Sequence, residues 1–170
     1  AKFIPNNYTI TYELDGGSNA TTNPTGYTYG VGVTTFADAS KTGYTFDGWY
    51  DDAAFTARVT SISAADMGNK TLYAKFIPNS YNITYVLNGG TNDTTNPTGY
   101  TYGVGVTLAD ASKTGYTFDG WYSDAAFTTR VTEISATDMG NKTLYAKFIP
   151  NNYTITYELD GGSNATTNPT

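Results

Sequence analysis

The sequence predicts a β-rich α+β fold built in tandem, each copy made of short strands with at most one or two helical turns. Three observations lead there. A stretch of about 72 residues recurs almost unchanged along the 170-residue chain. Within each copy, apolar and polar residues alternate in short runs, which is the period of a half-buried strand. Composition agrees: 16 Tyr and 8 Phe stand beside only 14% charged residues, and Tyr and Thr suit pleated strands better than helices.

Self-similarity sets the organisation. Tyr8-Thr9-Ile10-Thr11-Tyr12 returns as Tyr81-Asn82-Ile83-Thr84-Tyr85 and again as Tyr153-Thr154-Ile155-Thr156-Tyr157. Aligning 8–80 with 81–152 takes one gap and leaves 11 mismatches over 72 paired positions. Residues 153–170 repeat 8–25 without change, and 1–7 match 74–80 except at the last residue. The chain therefore reads as a piece of something longer. Residues 1–7 are the closing strand of a preceding repeat, 8–80 and 81–152 two whole modules, and 153–170 the opening strand and loop of a truncated one.

Each element of a module follows from its residues. Tyr8–Leu14 alternates, with Tyr8, Ile10, Tyr12 and Leu14 to one side, and stops at Asp15-Gly16-Gly17, where glycine permits positive φ. Residues 18–26 are polar, contain Asn23-Pro24, and read as a loop. A second strand is expected over Tyr27–Thr34, weakened by Gly30 and Gly32. Residues 37–43 predict a helical turn ending at Gly43. Tyr44–Tyr50 is a third strand, followed by a turn at Asp51-Asp52 and a short strand at Arg58–Thr60. Ser63-Ala64-Ala65-Asp66 resembles a capping box and predicts a second helical turn before Gly68. Thr71–Ile77 closes the module with Leu72, Ala74 and Phe76 on one face. The alignment gap (Val33-Thr34-Thr35-Phe36 against Val106-Thr107-Leu108) belongs at a strand-to-loop junction or a bulge, because a deletion inside a ladder would invert every later side chain.

Composition also narrows the chemistry. The chain has no Cys, hence no disulfide or thiolate, and no His, the side chain best suited to proton transfer near neutral pH. A net charge of −6 argues against nucleic acid and anionic membrane surfaces as partners. No apolar run reaches the roughly 18 residues of a membrane span, and no signal-peptide pattern is present.

Ile10-Thr11-Tyr12 with Gly16-Gly17, then Gly43-Tyr44-Thr45-Phe46-Asp47-Gly48-Trp49-Tyr50, then Thr71-Leu72-Tyr73-Ala74-Lys75-Phe76 resemble the Listeria–Bacteroides repeat, a family that includes the B-repeat of internalin B. The resemblance implies a β-grasp-like (ubiquitin-like) module, with first and last strands adjacent and parallel. It further implies an extracellular place on a bacterial cell surface, secreted or attached to the wall. It carries no catalytic motif.

Several residues invite a chemical reading and each has a plainer one. Trp49 and Trp121 could stack on sugars, or anchor small cores. Asp47, Asp51 and Asp52 could suggest Ca²⁺, but Asp51 is Ser123 in the second copy beside Asp124, and a Ca²⁺ site needs about six to eight oxygens. Asn-x-Thr triplets at Asn7, Asn19, Asn69, Asn82, Asn92, Asn141, Asn152 and Asn164 match a glycosylation pattern that an Asn- and Thr-rich chain produces by chance. Lys75 could meet Glu13 in an isopeptide cross-link, yet Glu13 becomes Val86 while Lys147 persists. Gly30-Val31-Gly32 lacks the lysine of a phosphate loop. No catalytic, cofactor-binding or metal residues are assigned, and no cofactor is expected. The expected role is a non-catalytic stalk or spacer in an adhesin-like surface protein. The alternative is weak multivalent adhesion to a host protein or glycan, with homotypic contact between modules a third reading.

Overall fold

The computed structural model describes residues 1–169. The chain divides into two compact units: Ala1–Tyr81, Gly99–Gly105 and Ser135–Gly140 in one, and Asn82–Thr98, Val106–Ile134 and Asn141–Thr170 in the other.

In the first repeat, β1 (Asn7–Glu13), β2 (Gly26–Thr28), β3 (Tyr44–Tyr50), β4 (Arg58–Val59) and β5 (Lys70–Pro78) form one mixed sheet in the order β2-β1-β5-β3-β4. β1 and β5 run parallel, with Ile10 opposite Lys70 and Glu13 opposite Tyr73. The other pairings are antiparallel. Alternation along β1 does what its pattern predicts, burying Ile10 while Thr9, Thr11 and Glu13 stay exposed. Ile10 packs with Tyr27, Ala39, Trp49, Ile62, Leu72 and Ala74. Tyr12 and Phe46 set their ring edges on Trp49 at centroid distances of 5.0 and 5.2 Å. Aromatic area of this kind suits a core that must close within so short a chain.

The second repeat forms β6 (Ser80–Val86), β7 (Gly99–Thr101), β8 (Val106–Thr107), β9 (Tyr116–Tyr122), β10 (Arg130–Val131), β11 (Glu133–Ile134) and β12 (Lys142–Pro150). Its main sheet has the order β10-β9-β12-β6-β7, again with the first and last long strands parallel. β8 and β11 make a separate two-stranded sheet. The corresponding residues of the first repeat make a single bridge between Val33 and Ile62. The one-residue difference between the repeats lies just beyond these pairs, in irregular backbone.

The described residues contain no helix, so the fold is all-β and the expected α+β class is wrong. The reason is visible at both expected turns. At 37–43 the backbone groups are claimed from far away. The Asn23 side-chain amide donates to the Ala37 carbonyl (3.0 Å) and accepts from the Ala37 N–H (2.7 Å). Trp49 Nε1 donates to the same carbonyl (3.0 Å), and Ser40 exchanges both backbone bonds with Ser18 (2.8 and 2.9 Å). These bonds occupy the Ala37 and Ser40 carbonyls that an i to i−4 ladder over this segment would use. At Ser63–Asp66 the capping-box bonds do form, with Asp66 Oδ2 accepting from the Ser63 N–H and the Ser63 hydroxyl oxygen accepting from the Ala65 N–H (both 3.2 Å). They close a single turn, ended by Gly68 at φ +86°.

The second strand is also shorter than expected. β2 ends at Thr28, and Gly30 (φ +89°) and Gly32 (φ +72°) turn the chain. Gly32 faces the Ile62–Ala64 backbone so closely that a side chain has no room.

Candidate functional site

A side-chain cluster that both repeats build lies where Asp-Gly-Trp-Tyr crosses the closing strand. The register of β3 against β5 shifts between Phe46 and Gly48, leaving Asp47 as a bulged residue. The same shift in β9 and β12 leaves Asp119 unpaired in the ladder. Glycine suits position 48, whose φ of +155° is one that L side chains rarely adopt. The bulge re-aims Asp47 onto Lys75, with Oδ2 to Nζ at 2.9 Å, and Tyr50 Oη donates to the same oxygen at 2.9 Å. Asp119, Lys147 and Tyr122 repeat the arrangement at 2.9 and 2.7 Å.

The bonds from Lys75 and then Tyr50 hold the Asp47 carboxyl below its usual range, and Lys75 is raised chiefly by its bond to Asp47. The Lys75 ammonium also lies 5.3 Å from the Tyr50 ring centroid. The cluster can carry a fixed ion pair and a phenol donor. It presents no free base or nucleophile.

The two tryptophans are core residues, 3% and 2% exposed, so neither offers a face to a sugar. Their Nε1 groups donate to Ala37 and Ala109 carbonyls at 3.0 and 2.9 Å. The acidic residues of the turn do not converge. Asp47 faces Lys75, whereas Asp52 folds back on its own loop and accepts from Ala54, Thr56 and Ala57 N–H groups and the Thr56 hydroxyl. Those bonds, led by the Thr56 hydroxyl, lower its pKa. Asp124 closes the equivalent turn through Thr128 and Thr129.

Lys75 meets Asp47 instead of Glu13, which stands beside Tyr73 in the β1–β5 register. Six of the Asn-x-Thr asparagines have side-chain partners, among them Asn92 and Asn164, which accept from the Asn96 and Asn168 amides. Asn69 and Asn141 accept the Thr9 and Asn82 N–H groups at 3.0 and 2.9 Å, lengthening the parallel pairing. Asn7 accepts from the Thr28 hydroxyl, and Asn19 from the Asn23 amide. Gly30-Val31-Gly32 is a turn, with Gly30 donating to the Ala64 carbonyl.

Sequence reasoning missed Asn23 and Asn96, each 8% exposed. Their side chains stand in for a strand by pairing with both backbone groups of Ala37 and Ala109. The one local sign was an asparagine directly before proline within a polar loop.

The Listeria–Bacteroides repeat domain matches residues 8–75 and again 81–147. The chain is 32% identical over 96% of its length to a putative Gly-rich membrane protein of Evansella cellulosilytica, covering 18% of that protein. It is similarly 32% identical over 96% of its length to a putative membrane protein of the same organism, covering 24% of it. Internalin H of Listeria monocytogenes is 33% identical over 85% of the chain and 25% of that protein. The chain thus spans about a quarter or less of these relatives. No solved structure matches it. Two family matches that together cover most of its length place this chain in the Listeria–Bacteroides repeat domain family.

Proposed function

We propose that the chain is a non-enzymatic spacer segment of a bacterial surface protein, holding other parts of that protein at a distance and transmitting load. The observation that carries this reading is the parallel pairing of the first and last strands within a repeat. Ile10 opposes Lys70, so Asn7 lies three residues before that pair and Pro78 eight residues after it. The entry and exit of the repeat are therefore about eleven strand residues apart, roughly 35 Å. Tension applied through the chain shears β1 against β5, loading their hydrogen bonds together. The resemblance of the relatives' names (internalin, membrane protein) supports a surface or membrane-associated setting.

Single-molecule extension of the chain tests it. A 73-residue repeat has a contour of about 240–260 Å, so each unfolding event should lengthen the chain by roughly 200–230 Å. The spacer reading expects two such events. A gradual extension without discrete events would end it.

A further inference from the structure

We propose that the second repeat carries a binding cleft for a carboxylate-bearing sugar, centred on Lys113. The inference stands apart from the spacer reading and would hold whether or not the repeat bears load. The cleft has a volume of about 570 Å³, and Lys113, Ser112, Thr114 and Tyr116 stand along it over a floor of Gly89 and Gly90. That lies within the roughly 300–1,000 Å³ usual for small-ligand sites.

Two substitutions distinguish this cleft from its counterpart: Ser18 becomes Thr91, which keeps the hydroxyl, and Asp15 becomes Asn88, which removes a charge. In the first repeat, Lys41 Nζ donates to the Asp15 carbonyl (2.6 Å) and is paired with the Asp15 carboxylate at 2.9 Å, beside a cleft of about 420 Å³. In the second, Asp15 is replaced by Asn88. Lys113 keeps the backbone bond, to the Asn88 carbonyl at 2.8 Å. The Asn88 side chain turns away and donates to the Ala146 carbonyl at 2.9 Å. Among the described residues no carboxylate pairs with Lys113 and no acidic side chain lines its cleft. An ammonium has three donors, so Lys113 retains capacity for an incoming anion.

The ammonium is also held in place. It lies 4.3 Å from the Tyr116 ring centroid and 5.7 Å from that of Phe148. Gly90 packs directly against Phe148, where an added Cβ would come within 2.5 Å of the ring. The hydroxyls of Thr91, Ser112 and Thr114 border the same space, as does Tyr116. A cation, several hydroxyls and an aromatic edge suit a compact, hydroxyl-rich ring carrying one carboxylate. The overall charge of −6 disfavours long polyanions and favours a single acidic sugar unit.

The test is a ¹H–¹⁵N NMR titration of the whole chain, at constant ionic strength, with methyl β-glucuronide, methyl β-glucoside, acetate and inorganic phosphate. Saturable shifts are expected from the glucuronide at Gly90, Lys113 and Thr114, and not at Gly17, Lys41 and Thr42. The glucoside, acetate and phosphate should each bind at least about tenfold more weakly, the equivalent of one charge-assisted hydrogen bond. Asn88→Asp, which restores the counter-charge of the first repeat, should weaken the glucuronide by about the same factor, and Lys113→Gln should do likewise. Shifts of equal size in both repeats, glucoside binding as well as glucuronide, or acetate or phosphate matching it would each overturn the proposal. So would unchanged affinity in Asn88→Asp with the rest of its spectrum intact.

Discussion

Replacing Asn23 by Ala should destabilise the first repeat far more than an ordinary polar substitution. The side chain is 8% exposed and makes three hydrogen bonds: to the Ala37 carbonyl, from the Ala37 N–H, and to Asn19 Oδ1. The Ala37 carbonyl retains Trp49 Nε1 as a donor after the change, but its N–H loses its partner. An N–H orphaned at this part-buried position costs up to about 1–3 kcal/mol, and the two remaining bonds about 0.5–1.5 kcal/mol each. The expected loss is therefore about 3 kcal/mol, which for a domain of this size lowers Tm by roughly 12–24 °C. Differential scanning calorimetry reads it, and Asn96→Ala should produce the same loss in the second repeat through Ala109. The chain supplies its own control. Asn168 makes the same bond to Asn164 in the last, incomplete copy but is exposed and far from any such core, so Asn168→Ala should fall within about 0.5 kcal/mol of the parent. If Asn23→Ala costs no more than Asn168→Ala, the side-chain amide does not organise the 37–40 segment and the account of the missing helix fails.

Trp49→Ala should cost about 3–5 kcal/mol as a core truncation, and the parent's tryptophan fluorescence should be blue-shifted and poorly quenched by iodide; emission typical of water-exposed indole would contradict the burial. At low pH, the carboxyls of Asp47, Asp52, Asp119 and Asp124 are held below their ordinary value of 3.8 in the folded state. Their stabilisation is present above that pH and is lost as pH falls below it. Urea midpoints should decline below about pH 3.8, and Asp47→Asn should flatten that decline. A midpoint insensitive to pH in that range would sink the claim. At high pH the direction reverses, because burial raises Tyr12 from 10.0 to about 12 and raises Tyr85 as well. Stability from Tyr12 is complete below pH 10 and disappears as pH rises through about 12, and that from Tyr85 is lost in the same direction. Absorbance at 295 nm should show a late tyrosine class whose ionisation coincides with unfolding.

What could be read from sequence was whatever depends on local alternation. Tyr44–Tyr50 matches β3 residue for residue, and the strands at 8–14 and 71–77 shift by only one residue at either end. What could not be read depends on partners distant in the chain. The clearest case is internal: Tyr8–Glu13 forms a strand with Ile10 4% exposed, whereas the identical sequence at 153–158 forms none and leaves Ile155 51% exposed. The strand at 8–13 pairs with residues 70–73, and the sequence of the last copy does not include their equivalents. Residue 170, the last of that copy, lies outside the described residues. The helical turn expected at 37–43 failed for a related reason, since alanines and a closing glycine favour a turn but cannot reveal that Asn23 and Ser18 will claim the backbone of Ala37 and Ser40. The Asp47–Lys75 pair was hidden because a one-residue bulge decides which strand Lys75 reaches across. Gly48 within an otherwise regular strand pattern was its one local sign.

Central to this account is that each repeat carries load through its parallel terminal strands. Pulling the first repeat in two directions tests this most directly. With handles at positions 7 and 79, force shears β1 against β5 and their bonds share it. With handles at positions 7 and 28, which face each other across the antiparallel β1–β2 pair, force opens the bonds one after another. The account predicts a clearly higher unfolding force for the 7–79 geometry at the same pulling speed. Equal forces, or a lower force along the chain, would contradict it.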